Sequence, residues 1–441
     1  MAVVGVADPA AARGVPLRHV AAVAAGNALG FYDFLTYVYF AVYIGKAFFP
    51  AHDPAVSLLV TYGASFIGFI ARPIGAMVIG PMGDRIGRKA AMMLSFALMG
   101  IGVVGVALTP TYAQIGIAAP ILVTLFRIVQ GFALGGEVGP TTAYLVEAAP
   151  AHRRGLYASG QYATQDLGVL AAGLIGTVLA VTLSPDQLQG WGWRVAILIG
   201  ALIVPFGLWL RRSLPETLHA ADDAALAPDA TTGDTTVPAG WRPYLVVIVL
   251  GLMMLTSGTI GSYTGSYMTT YALNTLHMTQ TVAFGVIIVN GGFSVLFEPI
   301  SGWLSDRFGR KPVMLVPGVI QLCCVFPAFW AIAHYHTTFV FYAAVAVVTI
   351  LQALSTPPVI VTLTEQLPKK VRSGVVAIVY AFAISIFGGS TGIVITWLLK
   401  KTGDPLMPAY YWSAALVVGL IAMALVKESA PVKMGNNPPS P

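Results

Sequence analysis

GPMGDRIGRK (residues 80–89) gathers Asp84, Arg85, Arg88 and Lys89 into one short stretch of a chain that is 57% hydrophobic and 10% charged. GWLSDRFGRK (302–311) repeats the arrangement G-x-x-x-D-R-x-G-R-K further along the same chain. Charges this dense mark places where an apolar chain meets water, and a loop written twice marks an internal duplication. A mean hydropathy of +0.78 over 441 residues lies outside the range of soluble globular domains, in which about 25% of residues are charged. The chain therefore reads as an all-α integral membrane protein.

A spanning helix needs about 20 apolar residues. Turn and charge clusters divide the chain into twelve such segments, near 20–48, 56–81, 90–110, 115–147, 155–183, 191–212, 242–272, 279–304, 312–333, 338–364, 373–399 and 407–426. If both termini face the cytoplasm, that side receives the two repeated loops and Arg13, Arg18, Arg153, Arg154, Arg211, Arg212, Arg242, Lys369, Lys370, Arg372, Lys427 and Lys433. The opposite side then receives Lys46, Arg194, Lys400 and Lys401. The positive-inside rule selects this orientation. No cleavable signal peptide is evident, because the first apolar run is long, carries charge and lacks a clear small-residue cleavage site.

The polar stretch around HAADDAALAPDATTGDTTVPAGWRP lacks apolar periodicity. It reads as a cytoplasmic linker (214–241) between an N-terminal six-helix half (1–213) and a C-terminal one (242–441). A second pair of loops supports the duplication: EAAPAHRRG (147–155) and EQLPKKVRSG (365–374) each set a Glu at a helix end before a basic loop and a Gly. In duplicated carriers the substrate site lies at the interface between repeats. Gly80 and Gly87, like Gly302 and Gly309, permit close backbone approach or a positive φ. Asp84 and Asp306, with Arg85, Arg88, Arg307 and Arg310, then read as a latch that holds while the cytoplasmic face is closed. A plain positive-inside turn would account for the basic residues but not for Gly and Asp recurring in register.

These two loops resemble the signature loop of the major facilitator superfamily, and RIVQG (127–131) resembles its fourth-helix motif. FIARPIGAMVIGPMGDRIGRK, GFYDFLTYVYFAVYIGKAFFP, WGWRVAILIG and LRRSLPET are similar to its metabolite:proton symporter branch, most closely over residues 26–217. The resemblance implies the major facilitator fold in a bacterial inner membrane, acting as a monomer, with a proton as coupling ion and no other cofactor. It further implies import of a small organic acid, such as citrate or tricarballylate, by alternating access. A zwitterionic osmolyte (proline or betaine) or a cyclic acid such as shikimate is the alternative.

Charged side chains at the centre of a spanning helix cost about 2.5 to 3.5 kcal/mol on insertion scales, so those that remain are functional candidates. They are Asp33, Arg72, Arg127, Glu137, Asp166 and Glu298. Arg127 offers a permanent charge and a planar fork suited to a carboxylate. Asp33 is the candidate proton carrier, since burial and a neighbouring guanidinium act on a carboxyl in opposite directions. A fixed Asp33–Arg127 pair, or no contact at all, is the structural alternative. Gln161 and Gln165 lie one turn apart and supply amides to substrate oxygens, with Asp166 beside them where the resemblance leads one to expect a second amide. Helix-to-helix hydrogen bonding is the competing reading. Glu137 lies roughly 80° around and about 15 Å along the helix from Arg127, which suits a gate rather than a partner. Arg72 and Glu298 each precede a proline and read first as partners of a helix break. Tyr32, Tyr37, Tyr263, Tyr267 and Tyr271 are candidates to line a cavity or to pack.

Several classes are disfavoured. GIGVVG (100–105) satisfies a dinucleotide-binding pattern but sits inside an apolar span with no preceding strand. His334 and His336 lack further ligands for a metal. The adjacent Cys323 and Cys324 read as core filler. Scattered basic clusters do not form a nucleic-acid stripe, and neither a P-loop nor a catalytic constellation of an enzyme is visible. The expected partners are substrate, protons and membrane lipid.

Overall fold

The computed structural model describes residues 17–86, 88–135, 151–202, 204–206, 244–367 and 369–434. The expected linker 214–241 and Glu137 lie outside the described residues. In the N-terminal half the principal helices are α1 (Leu17–Tyr39), α2 (Ala41–Phe48), α3 (Pro54–Ile86), α4 (Arg88–Leu108), α5 (Ala118–Gly135), α6 (Arg154–Thr182) and α7 (Trp193–Gly200). In the C-terminal half they are α8 (Leu245–Asn274), α9 (Gln280–Phe308), α10 (Arg310–Tyr335), α11 (Thr338–Ser355), α12 (Pro357–Glu365), α13 (Lys369–Phe382), α14 (Gly389–Thr402), α15 (Met407–Leu425) and the short α16 (Pro431–Met434).

Among the described residues, 10 helices are long and apolar enough to cross a membrane. The bent pair α1–α2 adds an eleventh, and the shorter apolar stretch Met93–Leu108 supplies the remaining one, giving the twelve spans read from the sequence. Several spans are not single straight helices. The first bends by 64° at Phe40, whose φ of −95° and ψ of 15° leave the helical region. No Pro or Gly lies at this bend; Phe40 and Tyr43 pack against Phe284 at the start of α9, with ring centroids 4.6 and 6.1 Å away. The tenth span breaks between α11 and α12, where Pro357 and Pro358 open the second piece, as the missing N–H and fixed φ of proline require. In the eleventh span a π segment, Ala383–Gly388, joins α13 to α14. Pro299 and Pro73, by contrast, sit inside continuous helices, so neither Arg72 nor Glu298 borders a break.

The halves meet along two seams, α6 against α9 and α3 against α14. Apolar side chains such as Ile67, Ile74, Leu125, Leu174, Leu296 and Trp397 face outward, as a lipid-facing surface demands because lipid is no less apolar than a core. Cys323 is exposed on that outer surface rather than filling the core. GIGVVG lies within α4, and its last glycine packs against Phe126 of α5.

Candidate functional site

The two repeated loops fall at one end of the bundle. The side chains of Gly80, Asp84, Arg85 and Arg88, and the whole of Gly87, lie outside the described residues, so the second copy carries the geometry. Gly309 turns the chain from α9 to α10 with φ +104° and ψ 157°, a conformation open to glycine and strained for other residues. Gly302 faces the Gly155 carbonyl so closely that a Cβ would sit 2.5 Å from that oxygen.

This approach brings Asp306 over the start of α6. Its two carboxylate oxygens accept from the Gly155 and Leu156 N–H groups at 2.8 and 2.9 Å, where a helix N-terminus favours negative charge. Arg310, fully buried, pairs with Asp306 at 2.6 Å and with Glu365 at 3.0 Å and donates to Ser305 Oγ. Asp306 thus joins the halves at this end, and Arg310 holds it from within the C-terminal half. Arg307 does not: it turns to the surface over the Trp303 and Phe308 rings.

Glu428, just past the last span and marked by no sequence pattern, holds the far side of the same cluster. It accepts from the Arg310 and Lys311 N–H groups at 2.8 and 3.0 Å, occupying the N-terminus of α10. Partial burial opposes its ionisation, yet backbone N–H bonds from Ala430, Arg310, Lys311 and Ser429 outweigh that and hold the carboxyl below its ordinary value. A lowered pKa makes the contact fully present above the unfolded value and lost as pH falls through the folded one. Amide-exchange protection of Arg310 and Lys311 is therefore expected to be constant near neutrality and to drop below about pH 4, the ordinary glutamate range. In Glu428→Gln that pH dependence should vanish; an unchanged profile in the variant would show that Glu428 does not control it.

Contacts join the halves at the opposite end as well. Besides the Phe40, Tyr43 and Phe284 stack, Tyr62 of α3 hydrogen-bonds Thr270 of α8 at 2.8 Å. Lys400 of α14 pairs with the exposed Asp53 at 2.9 Å. Between these two sets of contacts lies a cavity of about 100 Å³, lined among others by Gln165, Asp166, Tyr263, Glu298, Tyr380 and Trp412.

Beside the cavity, inside the N-terminal half, Arg127 is fully buried. It donates to Gln130 Oε1 at 2.8 Å and to Ser65 Oγ at 3.1 Å, and lies over the Phe34 and Tyr37 rings at 4.2 and 4.3 Å. Gln130 in turn donates to Asp33 Oδ2 at 3.3 Å. Asp33 and Arg127 are consequently neither directly ion-paired nor apart: the Gln130 amide bridges them. Asp33 Oδ1 and Arg127 Nε have no hydrogen-bond partner among the described residues. Arg72 lies over Phe34 and Phe69 at 4.0 and 4.5 Å, close to Tyr263, with Nε and Nη2 unsatisfied. Rather than serving a helix break, Arg72 is a buried cation without a carboxylate counter-ion among the described residues.

The other candidates divide. Gln165 lines the cavity and donates to the Tyr380 hydroxyl at 3.2 Å. Gln161 instead turns to Asn27 at 3.4 Å. The Tyr32 hydroxyl donates to the Ala196 carbonyl at 2.6 Å, and Tyr37 donates to the Thr61 carbonyl at 3.4 Å, so both pack within the N-terminal half and neither lines the cavity. Tyr263 does line it, as do Tyr162 and Tyr380. Tyr267 and Tyr271 hydrogen-bond Thr396 and the Pro405 carbonyl. Gln130 was readable as the polar residue of RIVQG but not as a bridge, because its partner lies on another helix. No group of three or more metal-ligating side chains occurs among the described residues.

Two packed sets of spans around a central cavity define a carrier-type membrane bundle. The Major Facilitator Superfamily model matches residues 23–383 and 286–440, and this chain belongs to that superfamily. It is 33% identical over 415 residues to a citrate-proton symporter of Klebsiella pneumoniae, covering 94% of this chain and 92% of the relative. It is 32% identical over 413 residues to an alpha-ketoglutarate permease of Escherichia coli, covering 93% of each chain. A solved D-xylose-proton symporter aligns with a TM-score of 0.73 at 18% identity over 96% of this chain and 99% of its own; at that identity the likeness concerns the fold alone.

Proposed function

We propose that this protein imports a small organic acid together with protons by alternating access, across a bacterial inner membrane, as a monomer with both termini in the cytoplasm. The observation that carries the reading is the buried Arg127–Gln130–Asp33 chain, which ends in an unpaired acid oxygen on one side and an unpaired guanidinium nitrogen on the other. A buried charge without its partner is costly, so a substrate carboxylate reaching Arg127 or the nearby Arg72 supplies the missing counter-charge. Drawing Arg127 toward substrate weakens its hold on Gln130 and, through it, its influence on Asp33. Protonation of Asp33 then accompanies substrate binding. The names of the citrate and alpha-ketoglutarate relatives support an acid as the load and a proton as the coupling ion.

A zwitterionic substrate is the second reading, and the cavity wall favours it. Asp166 and Glu298 stand among Tyr162, Tyr263, Tyr380 and Trp412, and among the described residues no Arg or Lys lines the space. Aromatic faces and carboxylates attract an ammonium group.

Proton flux into proteoliposomes carrying a trapped pH dye separates the two. Citrate, tricarballylate, succinate, 2-oxoglutarate, shikimate, proline and betaine are presented in turn. Acidification with one of the acids supports the first reading; acidification with proline or betaine alone supports the second; silence with folded protein removes proton coupling to these loads. Asp33→Asn is expected to lose accumulation against a gradient while retaining counterflow exchange. Unaltered accumulation would remove Asp33 as the obligatory carrier.

A further inference from the structure

The seam between α6 and α9 places two carboxyl groups face to face. Asp166 belongs to the N-terminal half and Glu298 to the C-terminal half, and both line the central cavity from the two helices packed along this seam, each within the other's electrostatic reach. Glu298 is 5% exposed, and its Oε2 has no donor. Ser294, one helical turn from Glu298 on α9, also faces Asp166.

Among the described residues no cation accompanies the pair. Ion pairs among the described residues are confined to Arg310 with Asp306 and Glu365, and Lys400 with Asp53. The titratable groups facing the two acids are tyrosines: Tyr39 from α1, Tyr162 from α6 itself and Tyr380 from α13. From α8, Tyr263 lines the same cavity and carries Arg72 on its far side. Tyrosines are uncharged at neutral pH, so nothing in this shell compensates two negative charges. Two adjacent carboxylates in an apolar setting cannot both stay ionised, whereas one proton placed between them removes a charge and supplies the donor that Glu298 lacks.

We propose that Asp166 and Glu298 share a single proton across the seam between the two halves, forming a proton site separate from Asp33. The proton comes from water entering from whichever side is open and returns there, leaving one carboxylic acid and one carboxylate in the closed form and two carboxylates after release. Because one acid sits on each half, release places like charges on both sides of the α6–α9 contact and drives the halves apart. Occupancy of this site thus ties closure to protonation. The consequence for transport rests on the proton-coupled carrier reading; the shared proton does not.

Infrared spectroscopy of the purified protein in lipid, titrated with pH, tests the site without a substrate. Wild type is expected to show a protonated-carboxyl band that survives in Asp33→Asn and disappears completely in both Asp166→Asn and Glu298→Gln. In each of the latter variants an amide N–H takes the place of the shared proton, so the pair keeps its shape and the remaining carboxyl ionises. A band absent from wild type, or unaffected by either seam variant, or lost only in Asp33→Asn, overturns the proposal. Citrate-driven proton uptake, measured on the same preparations, keeps the two readings apart: uptake without the band sinks the shared proton and leaves the carrier, whereas the band without uptake sinks citrate and leaves the site.

Discussion

Arg127→Ala is expected to abolish substrate-driven proton uptake in proteoliposomes while leaving the protein folded in the membrane. The side chain makes charged hydrogen bonds to Gln130 and Ser65, and hydrogen bonds to charged groups contribute about 1.5 to 3 kcal/mol each. Losing these along with a substrate contact lowers uptake by roughly 100-fold or more. Arg127→Lys retains the charge but not the planar fork that serves Gln130 and Ser65 together, so it should restore only a small part of the activity. The folding control is needed because the guanidinium also packs on Phe34 and Tyr37; an unchanged melting profile with lost uptake isolates the functional effect. Normal uptake by well-folded Arg127→Ala would remove the anion site.

The second large effect concerns the closed end. Arg310→Ala leaves Asp306 and Glu365 buried without their common cation, and removing one partner of a buried pair costs about 3 to 5 kcal/mol. Asp306 also grips the Gly155 and Leu156 N–H groups of the other half. The cost therefore falls on the state in which the halves touch at this end. A shift of about 3 kcal/mol changes a two-state ratio by more than 100-fold, enough to make the open state dominant. Spin labels introduced at positions 157 and 308, with Cys323 and Cys324 replaced by serine, read this directly. Wild type should show a short distance and Arg310→Ala a long one. If both proteins give the same distribution, the cluster is not a latch.

Glycine spacing and charge were the most legible features of the chain. Gly302 and Gly309 stand out because a loop repeated in both halves constrains backbone, and the structure places one at a positive φ and the other against Gly155. The spans were legible for the same kind of reason: a helix in lipid satisfies its own backbone, so its length and apolarity are local properties. Where a span departs from a straight helix, proline announced it at Pro357 but not at Phe40, where the bend carries no Pro or Gly and packs against Phe284 of α9.

Candidate residues were visible as types rather than as partners. Asp33, Arg72, Arg127, Asp166 and Glu298 stand out because ionisable groups are expensive in hydrocarbon. Their neighbours could not be read. Gln130 connects Asp33 of α1 and Arg127 of α5 across two helices, Asp166 meets Glu298 across the two halves, and Glu428 reaches back to the start of α10. Tyr32 and Tyr37, close in sequence to Asp33, spend their hydroxyls on backbone carbonyls of the same half, whereas Tyr162 and Tyr380 line the cavity. Composition and periodicity are properties of one segment and survive in the linear chain, so they settle membrane insertion, span number and duplication. Pairing depends on how helices far apart in sequence are rotated and stacked, and that is decided only when the two halves pack.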